Sequence, residues 1–298
     1  MDIVDSQVHL GPGGVPEMLA AIDALGVKSV LVDEWWMGTP GHPYYRVGPA
    51  GAAQRTTSPT AELAAWAHSE RFSYLVRVDP RDPELKAVVR FARDATHARA
   101  LRVSPGMSRA ETADFAGGVY DEVFALAAAS GLPVFVQIAG HADLLERIIG
   151  KYPDVRIVLC HCGMPPGARL WPIFAQMEGL EDSEDYWRRV GEEPLDQAFT
   201  KVLRAAQWPQ VALKWAHAPV MFNAAGYPNL AARPFLRKAL DAFGAERVMW
   251  ASDISANQTG ESWAELIFAI SENPEVSAAE REWIMGRTAR QWLAWEQE

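Results

Sequence analysis

A chain of 298 residues, 49% hydrophobic and 22% charged, has the composition of a globular protein and excludes a disordered or fibrous one. Its net charge of −10 is spread along the sequence, which argues against nucleic acid as a main partner. No run of about 18 apolar residues occurs, so neither a membrane span nor a membrane partner is expected.

Short apolar runs alternate with longer amphipathic stretches from one end to the other. The short runs are Ile3–His9, Val27–Asp33, Ser73–Val78, Ala100–Ser104, Pro133–Ala139, Arg156–Cys162, Val211–His217 and Arg247–Asp253. Most are dense in Val, Ile, Leu, Phe and Trp, as strands buried on both faces should be. Between them the sequence predicts helices at Pro16–Leu25, Thr60–Glu70, Pro83–Thr96, Tyr120–Ser130, Ala142–Lys151, Pro194–Ala206, Arg233–Phe243 and Ser262–Ser271. Gly26, Gly131 and Gly244 follow three of these as stop signals. The tail, Ser277–Glu298, reads as further helix. Eight strand–helix units of even pattern predict an α/β fold, a single-domain (β/α)₈ TIM barrel over residues 1–298.

Two longer insertions interrupt the rhythm. Glu34–Thr57 follows the second strand and Gly163–Gly191 the sixth. Both leave the C-terminal end of a strand, the face on which barrel enzymes build their sites. They carry Trp35, Trp36, Trp171, Tyr186 and Trp187; Trp35, Trp36 and Trp171 are suited to stacking on a ring, with core packing as the alternative for any single tryptophan and homo-oligomer contacts as the alternative for the two loops. Cys160 and Cys162, the two cysteines, stand one residue apart and make no disulfide framework. With an acidic N-terminus that lacks a basic region and an apolar stretch, they fit a cytoplasmic setting.

A barrel interior is apolar, so ionisable residues at strand ends need a reason. Alternation along the first strand puts Asp5, Gln7 and His9 on one face. If His161 points inward on the sixth strand, Cys160 and Cys162 point outward as core filling. Asp253 ends the eighth strand. His9, His161 and Asp253 thus reach one barrel end from three strands.

These segments carry a resemblance. Val4-Asp5-Ser6-Gln7-Val8-His9 resembles the strand-one D-x-H-x-H signature of the amidohydrolase superfamily, and Cys160-His161-Cys162-Gly163-Met164-Pro165 its strand-six segment. Arg247-Val248-Met249-Trp250-Ala251-Ser252-Asp253 and Gly286-Arg287-Thr288-Ala289-Arg290 resemble its strand-eight and C-terminal segments. The branch is that of TIM-barrel hydrolases, which includes lactonases, non-oxidative decarboxylases and hydratases. The resemblance implies His9, His161 and Asp253 as catalytic residues and as the ligands of one divalent ion, Zn²⁺ or Mn²⁺, completed by Gln7 or water. A metal-free site stays open beside it, because Gln7 and Gln137 stand where metal-binding members carry histidines. Arg102 on strand four leaves no bridge for a second metal.

An activity follows as an expectation: opening of a lactone or similar ester of a small, anionic compound, with Asp253 as general base. Arg77 and Arg102 are candidate carboxylate binders, Arg77 having a salt bridge to Asp79 as its structural alternative. Gln7, Gln137, His217, Trp36 and Trp171 complete the candidate substrate contacts, with His217 placed on the same face as Trp215. Metal-dependent decarboxylation of an aromatic acid is the second activity. A barrel that has lost catalysis and serves as a binding protein is the third reading.

Overall fold

The computed structural model describes residues 1–10, 13–33, 60–165, 167, 183–224, 226–254 and 262–295, with the backbone alone at 45–47, 53–55 and 183–184. Eight parallel strands follow one another around a ring in chain order: β1 (Ile3–Val8), β2 (Val27–Asp33), β3 (Phe72–Arg77), β4 (Ala98–Val103), β5 (Val134–Val136), β6 (Ile157–Leu159), β7 (Val211–Trp215) and β8 (Val248–Trp250). The seam closes where Val8 bridges Ile254 in parallel. There Asp253 N–H donates to the Gln7 carbonyl at 2.9 Å, and His9 N–H to that of Ile254 at 2.9 Å. Asp5 clasps the same seam, its Oδ1 accepting the backbone N–H of Ser252 at 3.0 Å and of Gln7 at 3.2 Å. This is the (β/α)₈ barrel that the alternation of apolar and amphipathic segments predicts.

Helices cover the outside, among them Gly14–Leu25, Thr60–Ala67, Leu85–Asp94, Asp121–Ser130, Leu145–Lys151, Leu195–Arg204, Arg233–Phe243 and Trp263–Ser271. One that the sequence reading passed over, Arg109–Gly117, is started by Ser108, whose hydroxyl accepts from Glu111 N–H at 3.2 Å. An antiparallel pair, Tyr45–Val47 with Ala53–Arg55, lies in the segment after β2. Among the described residues no helix is long and apolar enough to cross a membrane.

Three features set up the interior. First, each strand sends one side chain into an apolar layer: Val4, Leu31, Leu75, Ala100, Phe135, Val158, Ala212 and Met249. Ala289, Trp292, Leu293 and Trp295 of the C-terminal segment cover this layer from below. Their segment is held to the start of β1 by the Arg290–Asp2 ion pair at 3.0 Å and by a close approach at Gly286. A Cβ there would stand 1.8 Å from the Asp2 carbonyl oxygen, so only glycine fits.

Second, the next inward position along six strands is polar: Asp33, Arg77, Arg102, Gln137, Cys160 and Lys214. On β1 the count slips. The β1–β2 register is irregular between Asp5 and Val8, so Gln7 and not Ser6 turns inward. The three-residue face expected from alternation, Asp5 with Gln7 and His9, is therefore split.

Third, the predicted strands run too far at their C-terminal ends. β6, β7 and β8 stop at Leu159, Trp215 and Trp250, and the chain turns sharply beyond them. His161, His217 and Asp253 all adopt left-handed backbone conformations, with φ of 51°, 51° and 54°. Such conformations are uncommon for residues with a Cβ and cluster at functional sites.

Candidate functional site

The turns after β6, β7 and β8 bring His161, His217 and Asp253 to one point above the polar layer. His161 Nε2 lies 2.6 Å and His217 Nε2 3.1 Å from Asp253 Oδ2, while His9 Nε2 lies 3.0 Å from Oδ1. Three imidazoles thus meet both oxygens of one carboxylate. The rings of His161 and His217 stack, 5.9 Å apart and within 11° of parallel. All four residues are buried.

The hydrogen bonds fix much of the protonation. His9 Nδ1 sits against the Asp33 carbonyl oxygen, an acceptor only, so it carries its proton there. Its Nε2 therefore meets Asp253 only through a second proton or a cation between them. His161 is pushed down to about 3 by burial and by the nearby Lys214 charge, so at neutral pH it is an uncharged imidazole. Burial works against the charge on Asp253, but His217 and His161 outweigh it and hold the carboxyl well below the usual range. Asp253 is an anion with a histidine nitrogen against each of its two oxygens.

Among the described residues one group could hold a metal ion: His161, His217 and Asp253, with one donor atom each, all within 4.8 Å of one another. Two imidazoles and a carboxylate, buried together, are a donor set that fits a divalent ion. His217 takes the place in this group that the sequence reading gave to His9, while His9 meets the other oxygen of Asp253. The left-handed turn at His217 swings its side chain off the face of Trp215. Trp215 packs outward against Phe222 instead, ring centroids 5.3 Å apart.

Below the histidines, Asp33 organises the polar layer. Arg77 donates Nε–H and Nη2–H to its two oxygens, both at 2.7 Å, and Gln7 donates Nε2–H to Oδ2 at 3.0 Å. Arg102 Nε stands 3.4 Å from Asp33 Oδ2. Its other nitrogens donate to Gln137 Oε1 at 2.7 Å and to Cys160 Sγ at 2.9 Å. Burial opposes the Asp33 charge, yet Arg77, Arg102 and His9 together keep its carboxyl below the ordinary range. The partner of Arg77 is thus Asp33. Asp79 pairs with Arg81 at 3.1 Å. Gly106 locks the neighbouring turn: its N–H donates to the Gln137 carbonyl at 2.8 Å, and a Cβ would stand 2.6 Å from Ala139 N.

Cys160 corrects a second expectation. It faces inward to Arg102, and Cys162 outward into the helix-side core. Strand alternation ends at Leu159, so the parity argument from His161 does not reach back to Cys160. Lys214 completes the layer on β7. It is fully buried, and its Nζ has no hydrogen-bond partner among the described residues but lies 5.7 Å from the Phe135 ring centroid.

Asp33 and Lys214 are the residues that reading by strand end missed. The available signal was a charge inside an apolar run, as in Val211-Ala212-Leu213-Lys214-Trp215. Trp35, Trp36 and Trp171 lie outside the described residues. Tyr186 and Trp187 are buried, and the Tyr186 hydroxyl shares a 2.7 Å hydrogen bond with Thr112.

The amidohydrolase family profile matches residues 39–295. The chain belongs to the amidohydrolase family. An amidohydrolase from Burkholderia multivorans, solved with HEPES and with zinc, superposes with TM-scores of 0.69 and 0.67 at 19% identity, covering 99% of both chains. A Pseudomonas putida protein assigned as a 2-pyrone-4,6-dicarboxylic acid hydrolase superposes with a TM-score of 0.65 at 20% identity, covering 100% of this chain and 99% of its own. A 5-carboxyvanillate decarboxylase from Novosphingobium aromaticivorans, solved with manganese and 4-hydroxy-3-methoxy-5-nitrobenzoic acid, gives 0.61 at 14% identity, covering 98% and 96%. Among curated proteins none matches the sequence.

Proposed function

We propose that this amidohydrolase-family protein hydrolyses a lactone or related ester of a small carboxylate-bearing compound, with Asp253 as general base. The observation that carries the reading is the Asp253 carboxylate, ionised and met on both oxygens by His9, His161 and His217. A water at that point loses its proton to Asp253 as its oxygen adds to the ester carbonyl carbon. The carbon–oxygen bond to the leaving alkoxide then breaks, and the alkoxide takes a proton from the protonated acid. His161 and His217 stand against one oxygen of the carboxylate and His9, its Nδ1 held by the Asp33 carbonyl, against the other, so the three rings orient it. A divalent ion held by His161, His217 and Asp253 would supply Lewis acidity and lower the pKa of water.

The polar layer supports an anionic substrate. Arg77 and Arg102 place two guanidinium groups around Asp33, the one carboxylate of that layer, with the Lys214 amine buried beside them. A site floored by surplus positive charge favours a negative group descending onto it.

Decarboxylation of an aromatic acid is a second reading. It is favoured by the His161–His217–Asp253 group and by the manganese-bound decarboxylase of similar fold. One experiment separates the two. Metal-free, Zn²⁺-treated and Mn²⁺-treated protein is offered a panel of lactones, 2-pyrone-4,6-dicarboxylate among them, and of hydroxybenzoic acids. Acid release is followed by pH-stat and carbon dioxide by trapping. Acid release from a carboxylate-bearing lactone is the expected result; carbon dioxide release without lactone opening overturns the hydrolase reading.

A further inference from the structure

We propose that Lys214 is a substrate-binding residue, the cation that receives the substrate's carboxylate and so selects an anionic compound. The inference rests on the hydrolase reading above and adds to it which residue recognises the negative group.

The argument is one of available donors. Arg77 spends Nε and Nη2 on Asp33 at 2.7 Å each. Arg102 spends both terminal nitrogens on Cys160 and Gln137, with Nε near Asp33. Both guanidinium groups are thus already fixed in place by buried partners of the layer. Lys214 has no such commitment. Its Nζ is fully buried, with no acceptor in hydrogen-bond range among the described residues. A buried ammonium is ordinarily paired, because removing it from water without an acceptor is costly; burial pulls the Lys214 amine below the ordinary lysine range, and an anion seated on Nζ would restore its charge. The face of Phe135, 5.7 Å away, offsets part of that cost and supplies no directed bond.

Position agrees with chemistry. Lys214 stands one inward step above Ala212 of the apolar floor, beside Met249 on β8, and below the turn that carries His217. Lys214 is close enough to both His161 and Asp253 for a charge on it to disfavour a proton on His161 and for the Asp253 carboxylate to favour that charge. A carboxylate drawn to Nζ therefore sits directly under the proposed reacting groups. Gln7 Oε1, a buried acceptor without a partner on the same layer, is placed to take a hydroxyl or water beside it.

The test is a binding and stability measurement on wild type, Lys214→Met and Lys214→Arg, all freed of metal with chelator. The probes are malonate, succinate and citrate, each beside its neutral amide, titrated by calorimetry. The wild type is expected to bind at least one acid and to reject its amide. Lys214→Met should weaken that acid tenfold or more, Lys214→Arg should recover part of the loss, and Lys214→Met should melt no lower than wild type. Three results overturn the proposal: Lys214→Met binds the acids as wild type does; it melts lower, showing that the ammonium already had structural partners; or wild type shows no preference for acid over amide. If wild type opens no lactone yet prefers acids through Lys214, the hydrolase reading fails and this assignment stands.

Discussion

Arg77 grips Asp33 with two parallel hydrogen bonds of 2.7 Å, and neither side chain reaches solvent. The pair lies beneath the histidines and also steadies His9, whose Nδ1 is bound to the backbone carbonyl of the same Asp33. Loss of the carboxylate leaves the guanidinium of Arg77 buried and uncompensated. Asp33→Asn should therefore cost about 3–5 kcal/mol of stability, measured by urea unfolding. A double change, Arg77→Met with Asp33→Leu, should cost less than the single one, because one buried guanidinium, that of Arg102, is left without the carboxylate instead of two. Equal costs would show that the pair is not the organiser of the layer.

Asp5 gives the seam a pH dependence. Burial raises its carboxyl from the ordinary 3.8 to about 7, against the hydrogen bonds from Ser252 and Gln7. The folded state binds the extra proton, so this contribution is fully present below pH 3.8 and is lost as pH rises through about 7. Asp5→Asn mimics the protonated acid at every pH. The melting temperature of wild type should match that of Asp5→Asn at pH 3.8 and below, and fall progressively under it as pH rises to about 7. A difference that stays constant across this range would contradict the assignment.

Zinc uptake separates the two ligand sets. The geometry joins His161 and His217 to Asp253, whereas reading by strand end joined His9 and His161. Competition with a chromophoric chelator should show His161→Ala and His217→Ala each weakening Zn²⁺ by about ten- to hundredfold or more. His9→Ala should weaken it less. An equal or larger effect at His9 would return the ligand set to the one that the sequence implies.

Much of the barrel was legible because buried parallel strands are short, apolar and separated by amphipathic segments, and β1 to β8 fall within or beside the expected runs. His9, His161 and Asp253 were legible as polar residues at the ends of such runs. Parity failed where the regular strand gives way. The irregularity in β1 turns Gln7 inward and separates it from Asp5. The left-handed turns at His161 and His217 break the alternation used to place Cys160 and to pair His217 with Trp215. Partners across strands were not legible either: Asp33 lies 44 residues from Arg77, and one sequence carries no signal that joins them in preference to the nearby Asp79.

Catalysis through Asp253 is the claim on which the rest depends, and the measurement is the turnover number of Asp253→Asn on any lactone that the wild type opens. The variant keeps the shape and the acceptor oxygen but cannot take a proton. The expected result is a fall in kcat of about a hundredfold or more, with circular dichroism unchanged. A variant that keeps wild-type kcat on the same lactone would contradict Asp253 as the general base.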